Sequence, residues 1–237
     1  MLRASIITKV REKLDEVTPF DNAIVDDVDL IDDCLNEAAT KILMTVPLNT
    51  IRGYTLDTTL LEVTDDNVGI LPLPSDFLRI HTIKATGWSR AVTKAYSLES
   101  DMALLQSSAV TRGGVAKPVC VISYIDEGST SDDTGYYATK SLYMYTVSET
   151  FKSLYGAIAE TTPDPELDYI PIIGKYVVLF DVCSYVKNLL PEKLQDNLID
   201  PLAWQCAGDV LSITGNMSQA AVCYKQVEKF IFDHSLR

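Results

Sequence analysis

A chain of 237 residues, 47% apolar and 22% charged, can bury a sizeable core as one large domain or as one domain carrying an insertion. Its formal charge of −13 argues against a nucleic-acid surface as the main feature, because phosphate contacts need clustered Lys and Arg. Five cysteines without a C-x-x-C pair, only two histidines and a charged N-terminus without an apolar signal core argue against a disulfide framework or a zinc site. They predict a reducing, intracellular environment.

In chain order, Ile6, Ile7, Val10, Leu14 and Val17 fall on one face at helical spacing, and Pro19 closes the run. A second helix places Leu30, Ile31, Cys34, Leu35, Ala38, Ala39, Ile42, Leu43 and Val46 at three- and four-residue steps. Asp29 is its expected N-cap, with Asp32 and Asp33 in the first turn and Pro47 beyond the end. From about residue 50 the pattern turns to Thr, Tyr, Val and Leu punctuated by Asp57 and Asp65-Asp66-Asn67, which reads as strands and turns.

The stretch "GILPLPSDFLRIHTIKATGW" (69 to 88) signals entry into a strand. Leu78 and Ile80 share one parity and Ile83 and Ala85 the other, so a bulge or short turn is expected near His81 or Thr82. "SLESDMALLQSS" (97 to 108) reads as a short helix headed by Ser97, with Glu99 and Asp101 in its first turn. "KPVCVISYI" (117 to 125) and "KSLYMYTV" (140 to 147) read as strands around the polar loop "DEGSTSDDTG". "FKSLYGAIAE" (151 to 160) reads as one more strand, followed by the loop "TTPDPELD".

Ile172, Ile173, Tyr176, Val177, Leu179, Phe180, Cys183, Val186, Leu189 and Leu190 follow a 3.6-residue period, with Pro171 at the start and Pro191 past the end. Lys175, Asp181 and Lys187 interrupt that stretch, so no membrane span is expected. Asp200-Pro201 opens the next helix through Trp204, Ala207, Val210 and Leu211 to Gly215. Asn216 with Gln219 forms a capping-box-like start for the last one. The expected fold is α+β. Residues 1–48 form a helical hairpin, 169–237 complete one bundle with it, and a β-rich domain, 49–168, is inserted between them.

The chemistry-bearing residues do not converge on a reaction. His81 and His234 have no second ligand or nucleophile-elbow sequence nearby, and "TRGGVAKP" (111 to 118) lacks phosphate-loop spacing and precedes a strand. It reads as a turn. The acids Asp21, Asp26, Asp27, Asp29, Asp32, Asp33 and Glu37 lack a calcium-loop core and read as helix-capping charge. Neither a catalytic residue nor a metal or other cofactor is expected. An acidic hydrolase whose carboxylates meet only in the fold, and a cytosolic binding module using the Tyr-rich strands, remain as alternatives.

The hairpin "LIDDCLNEAATKIL", the segment "GILPLPSDFLRI", the strands "KPVCVISY" and "SLYMY" and the closing "PLAWQCAGDVLSITGNMSQAAVCYKQVEKF" together resemble the head-to-tail connector adaptors of tailed phages. The nearest likeness is to the ring proteins (tail tubular A-like) below the portal of short-tailed phages, including the crAss-like group. It runs loosely from residue 25 to 232.

The resemblance implies a structural virion protein, not an enzyme, of which about twelve copies form a ring by head-to-tail contact. The ring would dock on the portal protein, carry the next tail component and pass DNA through its lumen without binding it, an acidic wall repelling phosphate. Many such adaptors grip the portal with a long C-terminal arm. Here five residues follow Phe232, so the last helix is the expected docking element, with Lys229, Phe230, Phe232, His234 and Arg237 as candidate contacts. Pro72, Pro74, Asp76 and Phe77 are the candidate hinge where the chain leaves the helical layer for the β layer.

Overall fold

The computed structural model describes residues 3–17, 28–57, 61–64, 66–74, 76–108, 110–125, 139–146, 172–178 and 196–235. In chain order the elements are α1 (Arg3–Val17), α2 (Val28–Thr45), β1 (Tyr54–Thr55), β2 (Glu62–Val63), β3 (Val68–Pro72), β4 (Phe77–Ala85) and β5 (Ala95–Ser97). They continue with α3 (Asp101–Gln106), β6 (Val119–Ile125), β7 (Thr139–Tyr145), β8 (Ile172–Val178), α4 (Ile199–Ile213) and α5 (Met217–Ser235). The fold is mixed α+β. The strand expected at 151–160, the loops "DEGSTSDDTG" and "TTPDPELD", Cys183, Arg237 and the acids Asp21, Asp26 and Asp27 lie outside the described residues.

The chain divides into two compact units, Met1–Arg52 with Val178–Arg237, and Gly53–Val177. In the first, α1 buries Ile6, Ile7, Val10 and Leu14, and α2 buries Ile31, Cys34, Leu35, Ala38, Ala39, Ile42 and Leu43, as the spacing predicts. α2 begins two residues earlier than expected, so Asp29 sits within the first turn, at the positive helix end, and not at the cap. α4 is apolar almost all round, with eleven of its residues from Ile199 to Leu211 buried, and this makes it the central helix. It packs against α1, α2 and α5.

α4 stops in a Schellman turn. Gly215 adopts φ 86°, the Asn216 amide donates to Leu211 O at 2.8 Å and the Gly215 amide to Ser212 O at 3.2 Å. Asn216 then accepts the first backbone bond of α5, from Ala220, but its side chain turns back to Thr214 Oγ1 at 3.4 Å. Gln219 Oε1 is taken by Ser218 Oγ at 2.6 Å. The reciprocal capping box expected there is not formed, because the Asn216 amide that Gln219 would cap is already given to Leu211 O and Gln219 Oε1 is taken by Ser218.

The second unit holds two sheets. One has the order β2-β3-β7-β6-β5, antiparallel except for the parallel β5–β6 pair, and the other the order β1-β8-β4. Leu56, Leu71, Leu73, Phe77, Ile80, Ile83, Cys120, Leu142 and Met144, drawn from both sheets, share one apolar core. A parallel pair needs a crossover, and residues 98–118 supply it with α3 inside. α3 is shorter than the helix expected over 97–108. Ser97 ends β5, and Ser100 caps the helix by accepting from Ala103 N at 3.3 Å.

Three further expectations are corrected here. The helical period over 172–190 does not give a helix at 172–178, which is β8, pairing Tyr54↔Tyr176 and Thr55↔Lys175. "IIGKYVV" is rich in β-branched residues, and an added Cβ on Gly174 would lie 3.2 Å from Leu56, so backbone pairing overrides the periodicity. Residues 172–177 therefore belong with the β-rich unit, which extends past the expected boundary at 168 to Val177.

The hinge is also elsewhere in the path of the chain. Pro72 closes β3 opposite Ser141, Phe77 N bonds Pro74 O at 3.0 Å across a turn containing Asp76, and Phe77 opens β4. The corner joins one sheet to the other, because the chain has already left the helices at Arg52. Finally, β4 runs unbroken through His81 and Thr82. The parity change is real, since Phe77, Ile80, Ile83 and Ala85 all enter the same core, but one continuous strand absorbs it.

Candidate functional site

The exposed large apolar side chains of the described residues fall into two sets. Met44, Ile213, Met217, Val222 and Phe232 belong to the helical unit, and Leu98, Leu104, Leu105, Val110 and Val115 to the crossover of the β unit. Isolated exposed apolar residues are ordinary, but five within eighteen residues make this connection rich in exposed apolar side chains.

On α5, Ala220, Cys223 and Val227 face inward, which turns Lys229 and Phe232, three residues apart, outward. Phe232 keeps 63% of its surface exposed. Phe230 and His234 do not join them. Their rings stack at 4.1 Å, His234 Nδ1–H donates to Phe230 O at 2.8 Å, and Asn49 Nδ2 donates to His234 O at 3.3 Å. Those two fasten the helix end. Arg237 lies outside the described residues. His81 is half-buried in β4, far along the chain from His234.

The densest buried polar group lies at the centre of the helices. Asp209 is 7% exposed, and its Oδ1 accepts from Lys41 Nζ at 3.1 Å, Gln205 Nε2 at 3.1 Å and Tyr224 Oη at 3.0 Å. Tyr224 reaches it because Gly208 has no side chain, and a Cβ there would lie 2.5 Å from the ring. Burial lowers the pKa of the Lys41 amine, but the hydrogen bonds and charges of Glu37 and Asp209 outweigh this and hold it above its ordinary value. Burial first, then Asp209, pushes Tyr224 up to about 12. Burial, with Asp209 second, pushes Cys34 up to about 11, the opposite of an activated thiol. This cluster ties α2, α4 and α5 together.

A cleft of about 410 Å³ opens in the β unit between residues 90–94 and the crossover. Ser89 assembles it, with its amide donating to Val115 O at 3.0 Å and its hydroxyl to Val115 O and Ala116 O at 3.2 Å, so that Arg90 and Lys117 line one cavity. The antiparallel bridge Ile83↔Val92 fixes the strand leading to Lys94, whose Nζ lies 5.1 Å from the Tyr96 ring. Gln106 and Arg112 hold the far wall. Gln106 Nε2 donates to Met102 O at 3.1 Å and its Oε1 accepts from Gly113 N at 3.3 Å, while Arg112 donates to Gln106 O and Asp66 O at 2.9 and 2.8 Å. The turn over "TRGGVAKP" thus feeds β6 as expected.

Among the described residues, Arg90, Lys94 and Lys117 line this cleft, no carboxylate does, and none of the three forms an ion pair. Reading the sequence for runs of like charge missed it. The signal was local balance, because residues 84–118 carry five basic and two acidic residues in a chain of net charge −13.

No protein-family model matches the chain, and no curated protein is similar to it. Among the described residues, no three or more His, Cys, Asp or Glu are grouped to hold a metal ion, and no helix is long and apolar enough to cross a membrane.

Proposed function

We propose that the chain is a structural assembly protein, a head-to-tail adaptor whose copies form a ring below a phage portal and extend the DNA channel. One observation carries this reading beyond the sequence resemblance: the two separate sets of exposed apolar side chains, one in each unit. A ring built by rotation needs two different, mutually complementary faces on each subunit, whereas a two-fold dimer needs one. In this reading the helices from both chain ends form one bundle, the β-rich unit is an insertion in it, and Lys229 and Phe232 on α5 meet the portal. The acidic chain lines a lumen through which DNA slides, and the site of action is the virion.

Native mass spectrometry of the protein, alone and with the intact portal ring of the same phage, tests this. About twelve copies per portal ring is the expected result. Absence of any complex with an intact portal ring overturns it.

A further inference from the structure

We propose that the basic cleft of the β unit is a socket between subunits, receiving the acidic segment 126–135 of a neighbouring copy. The inference rests on the ring reading and names the contact that closes it. Three observations carry it.

The first is charge. The cleft presents Arg90, Lys94 and Lys117 without carboxylate partners among the described residues, whereas "DEGSTSDDTG" carries Asp126, Glu127, Asp132 and Asp133 and no Lys or Arg. Opposite potentials of this kind steer association and fix register.

The second is the rim. Leu98, Leu104, Leu105, Val110 and Val115 are exposed on the crossover whose α3 and final turn wall the cleft. Apolar area next to exposed, unpaired cations suits a protein partner. A phosphate backbone would be met by more cations and by no such leucines.

The third is reach. The cleft lies at the start of β6, lined by Lys117, Pro118 and Val119, whereas segment 126–138 leaves from its other end after Ile125. Val119 to Ile125 spans about 20 Å. Thirteen residues extend to about 43–47 Å at most, so a chain's own segment would use about 40 Å of it going to the cleft and back, leaving about one or two residues for the reversal. A neighbour has no such restriction.

The test uses the full chain and two readouts. A fluorescein-labelled peptide of residues 124–137 is titrated with the protein by anisotropy, alongside a scrambled peptide of identical composition. Binding of the native peptide, weakened by salt and reduced at least about tenfold in Arg90→Glu/Lys94→Glu/Lys117→Glu, is the expected result. All three side chains are exposed, so the variant keeps its fold, checked by circular dichroism.

Assembly on the portal ring is then compared by native mass spectrometry. The triple reversal should lose the ring, and adding Asp126→Lys, Glu127→Lys, Asp132→Lys and Asp133→Lys to the same chain should restore it. If the wild type assembles and the triple reversal assembles equally well, the socket is refuted while the ring reading stands. If the wild type never assembles, the ring reading fails and the socket with it. Equal binding of both peptides, or binding of a short DNA duplex that the same three substitutions abolish, also overturns the proposal.

Discussion

Asp209 shows how a single residue organises the helical unit. Three donors from three helices meet one carboxylate oxygen, while Oδ2 is buried without a hydrogen-bond partner. Asp209→Ala should lower stability by about 2–3 kcal/mol, and Asp209→Asn, which still accepts at one oxygen, by about 1 kcal/mol. The readout is urea unfolding in a Trp88→Phe background, which leaves Trp204, on the same helix as Asp209, as the reporter. A gain in stability for Asp209→Ala would mean that desolvating the carboxylate costs more than its bonds return. Nothing in the sequence signalled this residue. An Asp amid "CAGDVL" looks like an interruption of an apolar face until Lys41 and Tyr224, 168 and 15 residues away, are placed beside it.

At the scale of elements, what was legible depended on whether a pattern had one physical solution. α1, α2, α4 and α5 were readable because their apolar positions repeat over four or more turns and their ends carry Pro or Gly signals. β8 was not, because "IIGKYVV" satisfies both a helical period and β propensity, and only pairing with β1 decides between them. Gly174→Ala makes that decision measurable. In a helix interior the change would stabilise by about 1 kcal/mol. In β8 the new methyl presses on Leu56 at 3.2 Å, and a loss of about 1–2 kcal/mol is expected by urea unfolding followed at Trp88. Trp88 is 3% exposed and fixed by its Nε1 donating to Thr146 O at 2.9 Å, so it reports on this unit. The proline corner illustrates the same limit. Pro72 and Pro74 announced a change of direction, but not which two layers it joins.

At the scale of the whole molecule, three buried thiols and the half-buried Tyr224, among the described residues, make stability depend on pH. Burial pushes Cys34 and Cys223 up to about 11 and Cys120 up to about 12, from an ordinary value of 9.0, and Tyr224 up to about 12 from 10.0. In each case the folded state holds its proton more tightly than the unfolded state, so the stabilisation is complete below pH 9 and is lost as pH rises toward 11–12. The urea midpoint should therefore fall between about pH 8 and pH 10.5, with Tyr224→Phe contributing less loss above about pH 10. An unchanged midpoint would show that these groups titrate alike in both states. The basic cleft belongs to this scale as well. Its basic balance over residues 84–118 was legible in the sequence, but the cavity itself arises only where residues 90–94 and the crossover lie side by side.

The central position of α4 also fixes an order of events during synthesis. α2 ends at Thr45 and α4 begins at Ile199, so 153 residues must be translated between the two helices. At about 5–20 residues per second this takes about 8–30 s. Throughout that interval the apolar faces of α1 and α2 are without the helix that covers them, while the strands from Tyr54 to Val178 emerge. A nascent chain halted before Ile199 should therefore leave the N-terminal helices open to protease, and one halted beyond α5 should protect them.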